Sequence, residues 1–434
     1  GTSNTSLGNE ALKCNTTASN NTAVGRLSLA ANTTGTQNTA VGFCSLNANT
    51  TGANNVAIGV QALDTNTTAD NNVAIGDSAL KANTTGTNNV AVGKDALLAN
   101  VSGQQNVAIG VCALNANTGY NNVAIGYQAL DANIGGDSNV AVGLHSLLLN
   151  TTGNYNVAVG RKALCSNTTG LTNVAIGLTA LNDNTEGTNN IAIGCAALLD
   201  HSTGNNNVAI GVATLFDNTT ASDNTALGSY SMVKNTTGTA NLAAGTNAMA
   251  CNTTGAYNVA VGANAGLLHT TGGNNIFVGD SAGRQNTTGC KNTGLGSGAL
   301  YGAGGSGTVM QDNAAVGYRS LYTNTTGNSN AAFGNNTLYA NTTGCINTAI
   351  GKDALGLTTT GQQNTALGAA AGYNVTTGDN NLLVGRNAGR SQSPATITTG
   401  DNNIVLGNNT HTNAYIKIDW TVTSDLRDKT NIED

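Results

Sequence analysis

Glycine recurs in this sequence at a nearly fixed interval, and this repeat limits the possible folds more than any other feature does. Twenty-four glycines, from Gly8 to Gly407, are separated by 23 intervals, and 20 of these intervals are 17 residues long. Asparagine stands four residues before each of the 24 glycines. A strict short repeat indicates one structural unit that is copied and stacked along an axis. The sequence therefore predicts an all-β fold, a parallel β-solenoid (β-roll) of about 24 coils with a 17-residue period.

Each repeat has two halves that meet at the glycine. In one coil, Val56, Ala57 and Ile58 precede Gly59, and a leucine, Leu63, follows four residues later. Residues two apart share one face of a strand, so Val56 and Ile58 should point one way and Ala57 the other. We predict two short strands and two turns per coil, the first strand being five residues long. The larger side chains, Val56, Ile58 and Leu63, are expected to face inward.

The invariant asparagine and glycine are expected to act as structural ladders. Stacked asparagine amides can bond the asparagines above and below as well as the backbone of a turn. Parallel strands about 4.8 Å apart would make a rod of 24 coils roughly 110 Å long. The predicted ladder residues are Asn55, Asn72, Asn207, Gly59, Gly76 and Gly211.

Small residues on the face predicted to be external suggest a partner chain. Ala57, Ala74 and Ala91 would point outward under the assignment above, where a solvated strand should carry polar residues. Small side chains repeated on one face permit close approach of two backbones. We therefore expect this column to lie at an interchain contact, most simply in a homotrimer.

Charge and hydropathy limit the other partners. Only 9% of the residues are charged and the formal net charge is −6, without a basic run, so we expect no nucleic-acid partner. No apolar run reaches the roughly 18 residues that a membrane-spanning helix needs, and no signal peptide opens the sequence, so we expect no membrane insertion.

Histidine and cysteine do not form a recognisable metal site. The four histidines, His145, His201, His269 and His411, are scattered singly, and no cysteines form a CxxC pair. We therefore expect no metal and no cofactor. No two of the eight cysteines are 17 residues apart, which disfavours bridges between adjacent coils, and we expect buried free thiols.

The repeats resemble known fibre families. Asn-x-Val-Ala-Ile-Gly repeats resemble the left-handed parallel β-roll of trimeric autotransporter adhesin heads, whose coils are shorter. The 17-residue form, with Asn-Thr-Thr-Gly turns and the variants Asn264-Ala265-Gly266 and Asn387-Ala388-Gly389, is more similar to tail-fibre and tail-spike proteins of bacteriophages and related viruses. This likeness covers residues 1–408, which we assign to the shaft of a fibre.

The last residues resemble the start of a different domain. The segment Ser424-Asp425-Leu426-Arg427-Asp428-Lys429 resembles the opening of the endosialidase-type intramolecular chaperone domain. In that family the chaperone trimerises the fibre and is released by cleavage next to the serine. Ser424 and Lys429 match the serine and its lysine partner, and a lysine can activate a nearby hydroxyl. Cleavage would need the chaperone body that follows this motif in the family, so we expect no catalysis from this chain alone. The alternative interpretation is that Ser424 and Lys429 have no chemical role and are ordinary polar residues of a strand that leaves the solenoid.

The region between the shaft and this motif is expected to close the rod. Residues 415–422 alternate in residue type and carry the single Trp, which indicates a strand with one covered face. A solenoid end needs a cap that hides its open edge. We assign residues 409–434 to a capping strand and a junction to the chaperone, and we expect residues 412–423 to interlock with two partner chains.

Several other interpretations of the sequence are considered. Fourteen corner asparagines, including Asn32, Asn49 and Asn83, spell Asn-x-Ser/Thr and either accept N-glycans or simply form turns. Insertions within the 21- and 22-residue intervals form loops that either carry recognition or are tolerated. Ice binding is disfavoured because adjacent threonines in a strand point oppositely. Glycoside cleavage is disfavoured because the acidic residues lack a fixed partner.

Together these patterns predict a structural fibre of a viral tail, located in the virion, whose role is host attachment. The receptor would be a glycan or a protein on the host surface. The alternative is a bacterial cell-surface adhesin or a self-assembling extracellular filament.

Overall fold

The protein is a parallel β-solenoid, as the repeat predicts. A computed structural model describes residues 1–302, 310–390 and 395–412, and these ranges contain 24 strands of three residues each and no helix. Each strand pairs in parallel with the strand of the next repeat, so that Ala57 lies opposite Ala74. The predicted fold class and the 17-residue period are therefore confirmed. The strands are β1 (Thr5–Leu7), β2 (Thr22–Val24), β3 (Thr39–Val41), β4 (Val56–Ile58), β5 (Val73–Ile75), β6 (Val90–Val92), β7 (Val107–Ile109), β8 (Val123–Ile125), β9 (Val140–Val142), β10 (Val157–Val159), β11 (Val174–Ile176), β12 (Ile191–Ile193), β13 (Val208–Ile210), β14 (Thr225–Leu227), β15 (Leu242–Ala244), β16 (Val259–Val261), β17 (Ile276–Val278), β18 (Thr293–Leu295), β19 (Ala314–Val316), β20 (Ala331–Phe333), β21 (Thr348–Ile350), β22 (Thr365–Leu367), β23 (Leu382–Val384) and β24 (Ile404–Leu406).

The second half of each coil is not a strand, contrary to the prediction of two strands per coil. After Gly59 the chain runs through successive turns, with positive φ angles at Gln61 (55°) and Leu63 (51°). The turns still bond to the neighbouring coil, because the N–H of Leu63 donates to the carbonyl of Ala79 at 3.0 Å. A leucine seldom adopts a positive φ, so residue type gave no signal for this conformation.

The strand faces the core with its alanine, which reverses the predicted orientation. Ala57 is fully buried within its own chain, whereas Val56 is half-buried and Ile58 is 40% exposed. Leu63 is fully buried, as expected. The prediction that the alanine column, including Ala57 and its equivalents in the next two coils, lies outward at an interchain contact is therefore wrong. Alternation separates two faces of a strand, but it does not say which face is internal.

The narrow interior explains why alanine lies inside. At β17 the alanine position holds Phe277, and the leucine position of the same coil holds Gly283. A Cβ added to Gly283 would lie 2.3 Å from the Phe277 ring. At β23 the large residue is Leu383, and a Cβ at Gly389, the leucine position of the same coil, would lie 2.9 Å from it. The alanine and leucine columns thus share one space, and a large side chain from a strand fills it where glycine stands at the leucine position.

The repeat glycine is required by close contact between coils. Gly59 has φ 140°, and an added Cβ would lie 2.3 Å from the carbonyl oxygen of Gly76. Gly211 has φ 138°, and an added Cβ would lie 2.7 Å from the carbonyl carbon of Gly228. Any side chain at this position would therefore meet backbone of the next coil, in a conformation that favours glycine.

The eight cysteines all lie in the described ranges and are not bonded to one another. Of these, Cys44 is buried, while Cys14 and Cys195 are exposed and the rest are intermediate. The expectation of buried thiols is therefore wrong for most of them, because they occupy the variable positions of the coil. Among the described residues, none belongs to a helix with the length and apolar character needed to cross a bilayer.

Candidate functional site

The asparagine before each strand joins one coil to the next. The Oδ1 of Asn55 accepts the N–H of Asn72 at 3.0 Å, and the Nδ2 of Asn72 donates to the carbonyl of Gly86 at 2.9 Å. Asn207 repeats the pattern, since its Nδ2 donates to the carbonyl of Ala221 at 2.9 Å. Asn55, Asn72 and Asn207 are all fully buried. Their role is to pair buried backbone groups, which would be costly to leave unbonded.

A second asparagine ladder runs along the corner turns. The Nδ2 of Asn83 donates to the Oδ1 of Asn66 at 3.0 Å and to the carbonyl of Gly86 at 2.9 Å. Asn32, Asn49 and Asn83 belong to this column and are fully buried. Because an N-glycan is attached through Nδ2 and needs a surface site, these corner asparagines cannot carry glycans in the folded rod.

Two of the singly placed histidines replace asparagine in the corner ladder. His201 lies with Nε2 2.7 Å from the carbonyl of Gly204 and Nδ1 3.1 Å from the carbonyl of Asn218. Burial lowers the pKa of His201, and it lowers the pKa of His269 in the same way. These two imidazoles are part of the scaffold. In the described ranges no group of three or more metal-ligating side chains comes together.

The histidines also interrupt the ladder. The Oδ1 of Asn184, one coil before His201, is buried and has no hydrogen-bond donor among the described protein groups. The Oδ1 of Asn252, one coil before His269, is likewise buried without a hydrogen-bond donor among the described protein groups. A neutral imidazole has a single N–H, and both ring nitrogens face groups of their own turn and of the next coil, so the ring does not supply the donor that asparagine brings to the preceding Oδ1.

The outer face of the sheet is uncharged and mostly apolar along its whole length. The third residue of all 24 strands is Val, Ile, Leu, Ala or Phe, and the first is Val, Ile, Leu, Ala or Thr. In this third column Ile58, Ile210 and Ile350 are 40%, 40% and 46% exposed. We call these first and third strand residues the sheet face. Neither column contains a charged residue.

The sheet face is large for an uncovered apolar surface. At about 4.8 Å per coil and about 3.3 Å per residue, two columns over 24 strands cover on the order of 700 Å² in plan. The largest apolar patch on a typical monomer covers about 300 to 600 Å². A standard protein interface buries about 800 Å² on each partner. The size of the sheet face is thus that of an interface.

The C-terminal candidates lie outside the part of the chain that the structure describes. Ser424, Lys429 and the predicted capping strand at residues 415–422 lie outside the described residues, as do 303–309 and 391–394 within the two insertions. No relation between Ser424 and Lys429 is therefore described.

Comparison with known proteins gives no family assignment. No protein-family model matches the chain, and no curated protein matches it. The function is therefore inferred from the surfaces of the rod itself.

Proposed function

We propose that the chain forms the shaft of a homotrimeric attachment fibre, in the first place a viral tail fibre, with no catalysis of its own. The observation that carries this proposal is the sheet face, an exposed apolar surface that extends from β1 to β24. Apolar surface of this extent is unfavourable in water, so a rod of this kind is expected to be covered by a partner.

Identical chains are the simplest partner for a surface that repeats every coil. A neighbouring copy carries the same 17-residue period, so its side chains meet the sheet face in one register along the entire rod. Cyclic symmetry closes such an assembly and leaves no uncovered copy. The number three comes from the resemblance of the repeats to trimeric fibres.

Host attachment follows from the rod together with its C-terminal motif. A long, narrow solenoid places a binding surface far from its anchor, and the likeness of residues 424–432 to a fibre chaperone supports a viral tail. The alternative, a bacterial adhesin or extracellular filament, is supported by the likeness of Asn-x-Val-Ala-Ile-Gly to adhesin heads. The tail fibre and the adhesin would use the same trimeric shaft.

The proposal is tested by placing charge on the sheet face. We expect the double variant Ile109→Lys, Ile125→Lys to dissociate the trimer, because two ammonium groups per chain would be buried without partners. The control is Val101→Lys, Ile134→Lys, at apolar corner residues that are at least as exposed (47% and 57%, against 40% and 38%). Light scattering after size-exclusion chromatography measures the mass of each, and circular dichroism checks that each is folded.

The two pairs should behave differently. The sheet face is supported as the interface if the wild type and the corner variant have the mass of a trimer and the sheet-face variant has the mass of a monomer. A monomeric wild type at micromolar concentration, or a sheet variant that remains trimeric, would refute the proposal.

A further inference from the structure

Tyrosines gather in one column near the C-terminal part of the rod. Four of the 11 tyrosines stand five residues after a repeat glycine, within five successive coils. Elsewhere this position varies, as in Lys81, Asn115 and Leu199. The tyrosine ridge, as we call this column, consists of Arg284, Tyr301, Tyr322, Tyr339, Gly356, Tyr373 and Arg390.

The rings of the ridge are held in fixed positions. Tyr301 and Tyr322 stack with ring centroids 4.8 Å apart, and Tyr322 and Tyr339 stack at 5.3 Å with nearly parallel planes. At one end Arg284 lies 5.7 Å from the centre of the Tyr301 ring and donates to its hydroxyl at 2.6 Å. Side chains ordered in this way lose little entropy when a ligand binds.

The ridge is interrupted at Gly356, and a cavity of about 300 Å³ opens there. A Cβ at Gly356 would lie 2.9 Å from the ring of Tyr373, so the absence of a side chain lets this ring lean into the gap. At the far end Arg390 lies 4.7 Å from the centre of the same ring. The cavity is lined by Tyr339, Tyr373, Arg319, Asn336 and Asp353.

A second, smaller cavity adjoins the first along the ridge. It has a volume of about 160 Å³, and its lining includes Tyr301, Tyr322 and Asp280. Arg319 lines both cavities and lies 5.2 Å from the centre of the Tyr322 ring. The two cavities therefore form one continuous surface in which aromatic rings alternate with polar groups.

The chemistry of this surface fits a sugar. Aromatic rings combine a broad apolar surface with, in tyrosine, a polar hydroxyl. Sugar hydroxyls both donate and accept hydrogen bonds, and the first cavity offers donors on Arg319, acceptors on Asp353 and both on Asn336. The surface carries both signs of charge, with Asp280 and Asp353 beside the arginines, and so lacks the uniformly cationic character on which nucleic-acid binding depends.

The dimensions and position of the ridge fit an extended ligand. Arg284 and Arg390 are six coils apart, about 29 Å at about 4.8 Å per coil. The ridge belongs to the second half of the coil and the sheet face to the first half, so the ridge is separate from the residues proposed to join the chains.

We propose that the tyrosine ridge and its two cavities bind a neutral oligosaccharide that lies along the rod. This inference deepens the proposed attachment function and rests on it, since it names the chemical class of the receptor. Binding is non-covalent: the rings of Tyr339 and Tyr373 contact the C–H faces of the sugar, while Arg319, Asn336 and Asp353 bond its hydroxyls.

The test uses the full chain on an array of immobilised neutral, sialylated and sulphated oligosaccharides. We expect the wild type to retain neutral oligosaccharides, and the double variant Tyr339→Ala, Tyr373→Ala to bind them at least about tenfold more weakly. The matched control is Tyr155→Ala, Tyr257→Ala, which removes two tyrosines outside the ridge that are 64% and 65% exposed. This control should bind like the wild type.

A second variant keeps the test decisive if truncation of the rings disturbs folding. Asp353→Asn alters an acceptor in the cavity and leaves the rings in place, and it should also weaken binding. The proposal is overturned if the wild type binds no neutral oligosaccharide, binds only sialylated or sulphated ones, or keeps full affinity in these folded variants.

Light scattering on the same samples separates the two proposals. A trimer that binds no sugar would overturn the ridge proposal alone. A monomer that binds neutral sugar through the ridge would overturn the proposed assembly alone.

Discussion

At the scale of single residues, the rod depends on amides that bond in two directions. An asparagine such as Asn83 donates along the rod to Asn66 and within its own turn to Gly86. Histidine at the same position, as at His201, lies with its ring nitrogens near Gly204 and Asn218 and leaves the Oδ1 of Asn184 without a donor. The ladder therefore loses hydrogen bonds where histidine replaces asparagine.

Because His201 and His269 are buried in the ladder, we expect the stability of the rod to depend on pH. Because burial lowers the pKa of His201 and His269 in the folded chain, the unfolded chain binds more protons as the pH falls. Stability should be highest above the ordinary histidine pKa of about 6.5 and decrease as the pH falls from there towards the lower folded pKa. Thermal melting between about pH 8 and pH 5, followed by circular dichroism, measures this decrease.

The matched variant is His201→Asn, His269→Asn. It should melt at a higher temperature at all pH values, because each asparagine restores a donor to a buried Oδ1, a gain of about 1–3 kcal/mol per site. It should also lose most of the decrease at low pH. The control His145→Asn, at a half-buried site outside the ladder, should keep the wild-type pH dependence. Equal slopes in the ladder variant and the wild type would contradict this explanation.

At the scale of the coil, packing depends on a core space that the strand and the turn half share. Phe277 occupies the space that Leu takes in other coils, and Gly283 provides the room for it. The same compensation recurs between Leu383 and Gly389, the leucine position of its own coil. In these two coils the large core side chain thus comes from the strand instead of from the turn half.

This compensation predicts the outcome of a double-mutant cycle. Phe277→Ala should destabilise the rod by about 3–5 kcal/mol, because a cavity remains. Gly283→Leu alone should also destabilise it, because its Cβ would lie 2.3 Å from the ring. The double variant recreates the common Ala and Leu pair and should recover part of the loss. Urea unfolding of the four proteins gives the coupling energy. Strictly additive losses would show that the two positions do not share one space.

The coil also shows which parts of the fold could be predicted from the sequence. The 17-residue period, the parallel stacking and the buried Leu63 follow from spacing and residue type. The inward direction of Ala57 does not follow from the sequence, because alternation defines two faces without saying which one is internal. The larger apolar side chains of Val56 and Ile58 suggested that their face was the core. The glycines at the leucine position, paired with Phe277, were a signal of the true direction. The turns of the second half depend on positive φ angles at ordinary residues, which composition does not reveal.

The candidate surfaces were only partly visible in the sequence. The asparagine column was predicted from its regularity, but the sheet face was assigned to the interior. The tyrosine ridge was missed because its members are scattered along the chain and meet only when the column five residues after each glycine is aligned. That alignment needs no structure and would have shown the ridge.

At the scale of the whole molecule, a rod of stacked coils presents two surfaces of different character. The sheet face is uniform and apolar, which suits contact with other copies. The ridge is local, aromatic and polar, which suits a ligand. A fibre built on this plan would use the first for assembly and the second for attachment.

The most direct test of this account is the structure of the assembled full chain by cryo-electron microscopy. It should show three parallel rods around one axis, with Ile58, Ile210 and Ile350 buried between chains and the tyrosine ridge open to solvent. Single rods, or an assembly that leaves the sheet face exposed, would contradict it.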